Sequence, residues 1–261
     1  MVGRVWPRHG HRGQPLNSVV SGRMKRLLFS CVTLLVISCA SAKEHASPSQ
    51  LEEWMTYYYL HPQPAQVPGA LKAVADQGLF ENDNAQAPLT GFFTEVFRAN
   101  PNKLEEWVKP YAGIPKRHIL YSALWMANSK HSKTALEQLA KAAPPEESKQ
   151  LTDLIASAPP TIATMTIASP ASLDYLWGAF MASGSEAPVL RIIDQIKLVN
   201  TKGDVDTMMI GGAAQWSVSA NSRQHERVLK IVKAKVQTAD PETKVALQKM
   251  LSDIEAERAK K

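Results

Sequence analysis

Apolar residues recur every three or four positions from residue 51 onward, and polar residues fill the positions between them. This spacing matches the 3.6-residue period of an α-helix, and no stretch shows the strict alternation of a half-buried strand. Proline and glycine interrupt the pattern as they do at helix ends. The pattern therefore predicts an all-α domain with helices over residues 51–60, 67–77, 88–99, 103–109, 115–127, 132–142, 146–156, 170–182, 187–198, 205–219, 224–236 and 241–259.

The largest apolar side chains of these helices are expected in the core. Trp125, Trp177 and Trp216 each lie on an apolar stripe, where each indole N–H would find a carbonyl. In the helix over 205–219 the stripe consists of Val205, Met208, Met209, Gly212 and Trp216. The pair Gly211-Gly212 lies in the same helix beside two alanines and predicts the close approach of another helix. Residues 158–168 show no amphipathic pattern, so we predict a surface loop or a short extended piece.

A short motif recurs at four predicted helix ends: a large apolar residue, a variable residue, alanine, and then asparagine or serine. The copies are Phe97-Arg98-Ala99-Asn100, Trp125-Met126-Ala127-Asn128, Phe180-Met181-Ala182-Ser183 and Val218-Ser219-Ala220-Asn221. Asparagine can adopt the left-handed conformation that ends a helix. Such spacing predicts an array of helical hairpins, α/α solenoid-like and tetratricopeptide-like at most, because the tetratricopeptide signature is absent. The alternative is coincidence, since alanine and asparagine are common at helix ends.

The first 42 residues differ from the rest of the chain. Met24-Lys25-Arg26 precedes a mainly apolar run over residues 27–37, and small residues follow it. This order is typical of a secretory signal peptide, here over residues 24–42. The run has about half the roughly 20 residues that a membrane helix needs, so we expect export and no permanent span. We interpret residues 1–23 as a start-site artefact or as an extended basic region of the signal peptide.

Two processing sites compete at the end of this signal peptide. Val36-Ile37-Ser38-Cys39 resembles the lipobox of bacterial lipoproteins, and the resemblance implies a lipid on Cys39 with cleavage before it. The next residue, Ala40, favours an anchor in the outer membrane. The alternative is cleavage after Ala42, which would leave a soluble periplasmic or secreted protein starting at Lys43. Residues 43–50 are predicted to be a polar tether, and residues 51–261 one α-helical domain.

Charge and cysteine content change their meaning once the leader is removed. The whole chain has 30 basic and 24 acidic residues, a formal net charge of +6. Six of the basic residues and none of the acidic ones precede residue 43, so the remaining 219 residues are formally neutral. We therefore expect no nucleic-acid partner. Both cysteines, Cys31 and Cys39, also lie in the leader, so the mature domain has no thiol for catalysis, disulfides or metal binding.

Aromatic residues near the start of the domain are the best candidates for a recognition surface. Trp54, Tyr57, Tyr58 and His61 share helical spacing, and Tyr59 extends the tyrosines to three in a row. Three consecutive positions cover most of a helix circumference, so at least one tyrosine should face a groove or solvent. Tyrosine and tryptophan suit recognition because they offer a large contact area at low entropy cost. The alternative is an aromatic cap that packs on the next helix.

Catalytic and cofactor motifs are missing from the mature sequence. It has no H-E-x-x-H, no G-x-S-x-G and no glycine-rich phosphate loop, so we predict no catalytic residue, metal or cofactor. An envelope hydrolase that uses paired carboxylates is the alternative from a different class of protein. Its candidate pairs would be Asp174 with Glu186 and Glu105 with Glu106.

Two stretches together resemble a group of exported bacterial helical proteins with no assigned activity. They are Tyr57-Tyr58-Tyr59-Leu60-His61-Pro62-Gln63-Pro64, with Val67-Pro68 and Ala70-Leu71 after it, and the segment from Ser169 to Gly184 that contains Leu176-Trp177-Gly178. The resemblance would cover most of the mature chain. It implies export and an all-α fold, and it implies no catalytic residue.

These observations predict an exported, lipid-anchored helical-repeat protein that acts as a binding or assembly module in the cell envelope. Its partner would be a protein or peptide facing the periplasm, and it would meet the membrane through the lipid on Cys39. Besides the hydrolase, a purely structural lipoprotein with no specific ligand is the remaining alternative.

Overall fold

The computed structural model describes residues 48–260. Residues 1–23, the predicted signal peptide over residues 24–42 with Cys39, and residues 43–47 of the predicted tether lie outside the described residues. Within residues 48–260 every regular element is a helix and none is a strand, which confirms the all-α prediction. None of these helices has the length and apolarity needed to cross a bilayer. The α-helices are α1 (Pro48–Tyr57), α2 (Val67–Asp76), α3 (Asp83–Ala99), α4 (Leu104–Val108), α5 (His118–Ala127), α6 (Lys130–Ala142), α7 (Pro145–Ala156), α8 (Pro170–Ser183), α9 (Glu186–Ile193), α10 (Val205–Gln224), α11 (Glu226–Lys235) and α12 (Pro241–Arg258).

These twelve α-helices of the described chain correspond in order to the twelve predicted ones. Short 3₁₀ turns extend or join several of them, at Tyr58–Leu60, Pro64–Gln66, Leu79–Glu81, Pro101–Lys103, Lys109–Tyr111 and Ile196–Asn200. Apolar periodicity and proline positions were thus sufficient to locate every α-helix of this region, because helix ends carry strong local signals.

Several predicted helix boundaries were wrong. Helix α1 begins at Pro48, inside the predicted tether 43–50, and α9 ends at Ile193 instead of residue 198. Helix α3 begins at Asp83, before Pro88, because the Asn82 side chain accepts a hydrogen bond from Asn84 N at 3.0 Å and starts the helix there. Pro88 is tolerated because it forfeits only one backbone bond, near the helix start. Helix α5 begins at His118, since Lys116 has a positive φ of 60° that no α-helix accommodates. Helix α10 runs past residue 219 to Gln224.

Side-chain caps define the start of other helices. The Asp204 carboxylate accepts a bond from Thr207 N at 3.0 Å, and the Asp240 carboxylate accepts one from Thr243 N at 3.1 Å. A bond from the Thr207 hydroxyl to Asp204 at 2.6 Å, together with its backbone bond, lowers the pKa of Asp204, and the Thr243 backbone bond lowers that of Asp240, because these bonds favour the charged form. At α6 a reciprocal capping box joins Ser129 and Ser132. Each cap satisfies an amide that the first helical turn leaves unpaired.

Helices α3 and α8 form the closest and most extensive helix pair. Gly91 of α3 lies against the backbone of Tyr175, and Gly178 of α8 lies against the backbone of Pro88 and Phe92. A Cβ atom at either glycine would be closer than 3.0 Å to opposing backbone atoms. The two glycines therefore let the helix backbones touch, which larger side chains would prevent.

The α3–α8 pair joins two hydrophobic cores. One core is built mainly by α1 to α7, and the other mainly by α8 to α12. Large buried residues of the first are Phe80, Phe92, Phe93, Phe97, Leu120, Leu124 and Leu136. Those of the second include Leu176, Phe180, Val189, Ile192, Val218, Val232 and Leu247. Residues from α5 and α8 also contact both cores, so the two halves pack as one unit.

The predicted core stripe of α10 is wrong. Trp216 is 74% exposed and Val205 is 69% exposed, whereas Ile210, Ala214 and Val218 on the opposite side are buried. The prediction for the glycine pair is right for Gly211, whose position abuts the backbone of residues 198–199, and wrong for Gly212, which has no atom near its Cβ position. The side of α10 that contains Gly211 is small enough for backbone contact, so this side packs against the domain. The opposite side, which contains the bulky Trp216, does not.

The recurring motif ends a helix in three of its four copies. Asn100 follows α3, Asn128 follows α5 with a left-handed φ of 50°, and Ser183 is the last residue of α8. After α8 it is Gly184 that adopts the left-handed conformation. The fourth copy is wrong as a helix end, because residues 218–221 lie inside α10. Trp125 is partly buried and Trp177 is buried. The Trp125 indole donates to Ser157 O at 3.2 Å, as predicted, but the prediction of a carbonyl partner is wrong for Trp177, whose indole N–H has no acceptor among residues 48–260.

Candidate functional site

The predicted recognition residues form an aromatic cluster that packs on both halves of the domain. The rings of Trp54 and Tyr58 meet edge to face at 4.9 Å, and each also contacts Phe92 of α3. Tyr58 is buried, whereas Trp54 is partly exposed and donates its indole N–H to Gln63 Oε1 at 3.2 Å. These two residues therefore hold the first helix on α3 and leave only one edge of Trp54 open to solvent.

Tyr57 and Tyr59 reach the other half. Tyr59 Oη and His225 Nδ1 share a hydrogen bond of 3.2 Å, and the Tyr57 ring lies 5.5 Å from the His225 ring. Tyr57 Oη also accepts a bond from Gln224. Burial lowers the pKa of His225 and raises that of Tyr59, because both charged forms lose solvation. His61 is exposed at the end of this segment.

An exposed apolar surface runs along α10, and sequence analysis assigned it to the core. It consists of Val205, Met208, Met209, Gly212 and Trp216, hereafter the α10 face. Their exposed fractions are 69% for Val205, 41% for Met208, 51% for Met209 and 74% for Trp216. The spacing places them on one side of a 20-residue helix, and Gly212 leaves a flat gap before the tryptophan. Single exposed apolar residues are common, whereas contiguous exposed apolar patches are typical of interaction surfaces.

A second feature is a cleft of about 830 Å³ between the α5–α6 junction, α9 and the loop before α8. We call it the arginine cleft, because Arg98 and Arg191 line it from opposite halves of the domain. Its apolar walls come from Met126, Pro159, Pro160, Ile162 and Leu190, and its polar lining includes Asn128, Ser129, Thr161 and Asp194. The sequence offered no signal for it, because these residues are far apart in the chain.

The charges of the arginine cleft are unevenly paired. Arg98 forms an ion pair with Glu95 and donates to Met126 O at 2.8 Å. Asp194 is paired with Lys235 at 2.9 Å. Arg191 donates to Met165 O at 2.7 Å, which pins the loop, but no carboxylate of the described chain pairs with it. The cleft therefore contains one cation whose charge is not balanced.

The bond from Arg191 to Met165 O lies in the segment 158–168, which was predicted to be a surface loop or a short extended piece. This segment is a loop with a turn in which Thr161 and Thr164 form hydrogen bonds with each other.

A smaller, mainly apolar pocket of about 400 Å³ lies between α1, α3 and α8. The buried Trp177 lines it, and its indole N–H has no acceptor among the described residues.

The carboxylates considered for hydrolysis lie on exposed helix surfaces. Glu105 accepts a bond from Gln138 at 2.8 Å, and Glu106 pairs with Lys103 at 3.6 Å. Asp174 on α8 and Glu186 on α9 are also exposed, although partial desolvation raises the pKa of Asp174. No three His, Cys, Asp or Glu side chains within residues 48–260 are grouped closely enough to hold a metal ion.

Comparison of the chain with models of protein families, with curated proteins and with solved structures finds no match. The function therefore has to be argued from the surfaces described above.

Proposed function

We propose that this protein is an exported, lipid-anchored helical protein that acts as a binding and assembly module in the cell envelope. The observation that carries the proposal is the α10 face, where four large apolar side chains are exposed on one helix. A buried tryptophan removes about 150–250 Å² from water, and 74% of Trp216 is exposed, so covering it would supply roughly 3–5 kcal/mol before the costs of association. Such a stripe is stabilised when a partner removes it from water.

The chemistry of the α10 face favours a protein partner that presents an apolar helix surface. Tryptophan is a frequent energetic centre of protein interfaces, and methionine adapts its shape to different neighbours. The face is a ridge with a gap at Gly212, and a large side chain of a partner helix would fill that gap. The formally neutral domain adds no general attraction to nucleic acid, which supports protein as the partner class.

The remaining parts of the proposal rest on the sequence and on helix pairing. The lipobox-like Val36-Ile37-Ser38-Cys39 supports export and a lipid anchor, for which the outer membrane is the proposed site. Consecutive helices contact each other in α5–α6, α6–α7, α8–α9 and α10–α11, which supports an array of helical hairpins. In that array the α3–α8 contact would join units that are not neighbours in sequence.

The α10 face is tested by site-specific photo-crosslinking in living cells. A benzoylphenylalanine in place of Met209 should give discrete protein adducts, and the same probe in place of the exposed Lys230 on α11 should not. Adding Trp216→Glu should remove the adducts, because a charge at that position cannot be desolvated cheaply. Equal adducts at positions 209 and 230, or adducts that persist with Trp216→Glu, would refute this role of the α10 face.

The anchor is tested separately by metabolic labelling with radioactive palmitate. We expect label in the protein, loss of label with Cys39→Ala, and retention of label with Cys31→Ala as the matched control. A mature N-terminus at Lys43 without lipid would instead establish cleavage after Ala42. That result would remove the anchor and leave the binding role of the α10 face untouched.

A further inference from the structure

We propose that the arginine cleft binds the C-terminal carboxylate of a peptide whose last side chains are apolar. The cleft shares no residue with the α10 face, so this site is independent of the assembly role. Its volume of about 830 Å³ lies within the usual range for ligand pockets.

The unbalanced charge of Arg191 selects an anion. The Asp194 carboxylate in the lining is engaged by Lys235, and Glu95 is engaged by the other lining arginine, Arg98. Arg191 uses Nη2 to hold Met165 O, and its buried Nε has no acceptor. Its Nη1 has no partner among residues 48–260 and is not among the buried unpartnered atoms, and Arg191 lines the cleft. A guanidinium with unused donors binds a carboxylate in the plane of its nitrogen atoms.

The rest of the lining favours a peptide over a simple acyl chain. The Asn128 side-chain amide lines the cleft, is exposed, and has no partner among residues 48–260. An amide both donates and accepts, which matches the backbone groups of a bound peptide. Ser129 starts α6 at the same edge, and the first amides of that helix add positive potential next to Arg191. The prolines at 159 and 160, with Ile162 and Leu190, form an apolar wall for the last side chains.

The test measures binding of fluorescein-labelled pentapeptides to the full chain in detergent by fluorescence anisotropy. The probes are mixtures with random residues at three positions and Leu-Leu, Ile-Leu or Val-Phe at the end, each as the free acid and as the C-terminal amide. We expect the acids to bind at least about tenfold more tightly than the amides, because only the acid offers a charge-assisted bond.

Two variants assign the effect to this cleft. Arg191→Gln should abolish the preference for the acid, and Arg191→Lys should restore part of it because the charge returns without the planar donor pair. Asn128→Gly keeps the left-handed backbone at residue 128 and removes the amide, so it should weaken acids and amides alike without unfolding the chain. Trp216→Glu on the α10 face is the matched control and should leave the preference unchanged.

Any of three results in the peptide-binding measurements would overturn the proposal. They are equal binding of acids and amides, a preference that survives Arg191→Gln, and no binding of any probe at millimolar concentration. Dodecanoate serves as a competitor. If it displaces the bound peptide completely at concentrations below those of the peptides, the cleft is assigned to fatty acids and the peptide proposal is refuted.

Discussion

The contact between α3 and α8 predicts that Gly91→Ala destabilises the protein. The added Cβ would lie 2.8 Å from the carbonyl carbon of Tyr175, closer still to its oxygen, and 3.1 Å from Ala179 N. Ordinary contacts begin at 3.4 Å, and the obstacle is backbone that cannot rotate away. The two helices must therefore move apart by well over half an ångström, which loosens the junction between the two cores.

The magnitude follows from two opposing terms. Overpacking of a close contact costs about 1–3 kcal/mol, and a rigid backbone obstacle places Gly91→Ala near the upper end. Alanine returns about 1 kcal/mol because it favours the helix more than glycine does. We expect a net loss of about 2 kcal/mol, which lowers Tm by roughly 4–8 °C for a domain of this size. Thermal unfolding of the full chain, followed by circular dichroism at 222 nm, measures this change.

Two further variants show whether the reasoning is sound. Gly212→Ala is the matched control, because this helical glycine has no neighbour within 4 Å of its Cβ position. Only the propensity term acts there, so Tm should rise by roughly 2–4 °C. Gly178→Ala adds its Cβ on the other side of the same contact, so combining it with Gly91→Ala should cost less than the sum of the two. A Gly91→Ala protein that melts at or above the parent would refute the close-contact argument.

Three other predictions concern single side chains. Burial lowers the pKa of His225, so the unfolded state binds a proton before the folded state does, and stability should fall as the pH drops below about 6.5. His225→Phe should therefore make Tm less dependent on pH between pH 7 and pH 5. An unchanged slope of Tm against pH in this variant would contradict the prediction. Asp240→Ala removes the cap of α12 and should cost about 1 kcal/mol, or roughly 2–4 °C, while Glu242→Ala next to it should cost less. Trp216→Ser should leave Tm within about 2 °C of the parent, since its ring is exposed; a large loss would place it in a core.

Local sequence signals predicted much of this fold. Apolar periodicity, prolines and capping side chains such as Asp204 and Asp240 act within a few residues, so all twelve α-helices of residues 48–260 were located in advance. Errors arose where one local signal outweighed another. At α3 the proline at 88 indicated a helix start, but the Asn82 cap allows the helix to start before Pro88. The division of charge and cysteine at residue 42 is likewise a property of the sequence alone.

The candidate site was much less predictable. The aromatic residues near position 57 were visible in the sequence, but their contacts with Phe92 and His225 were not. Arg98 and Arg191 carry no motif, and only the packing of α3 and α9 around one cleft brings them to the same cavity. Residues so far apart along the chain can be placed together only by long-range packing.

Helix α10 is an element whose buried side the local sequence pattern could not determine. Both of its sides are apolar with helical spacing, so the sequence determined that it is a helix but could not determine which side is buried. Tertiary structure decided this through Gly211, whose position admits the backbone of residues 198–199; Ala214 is buried on the same side, and Trp216 remains exposed on the other. Periodicity specifies the angle between residues on one helix, whereas the buried face depends on the shape of the neighbour that packs against it.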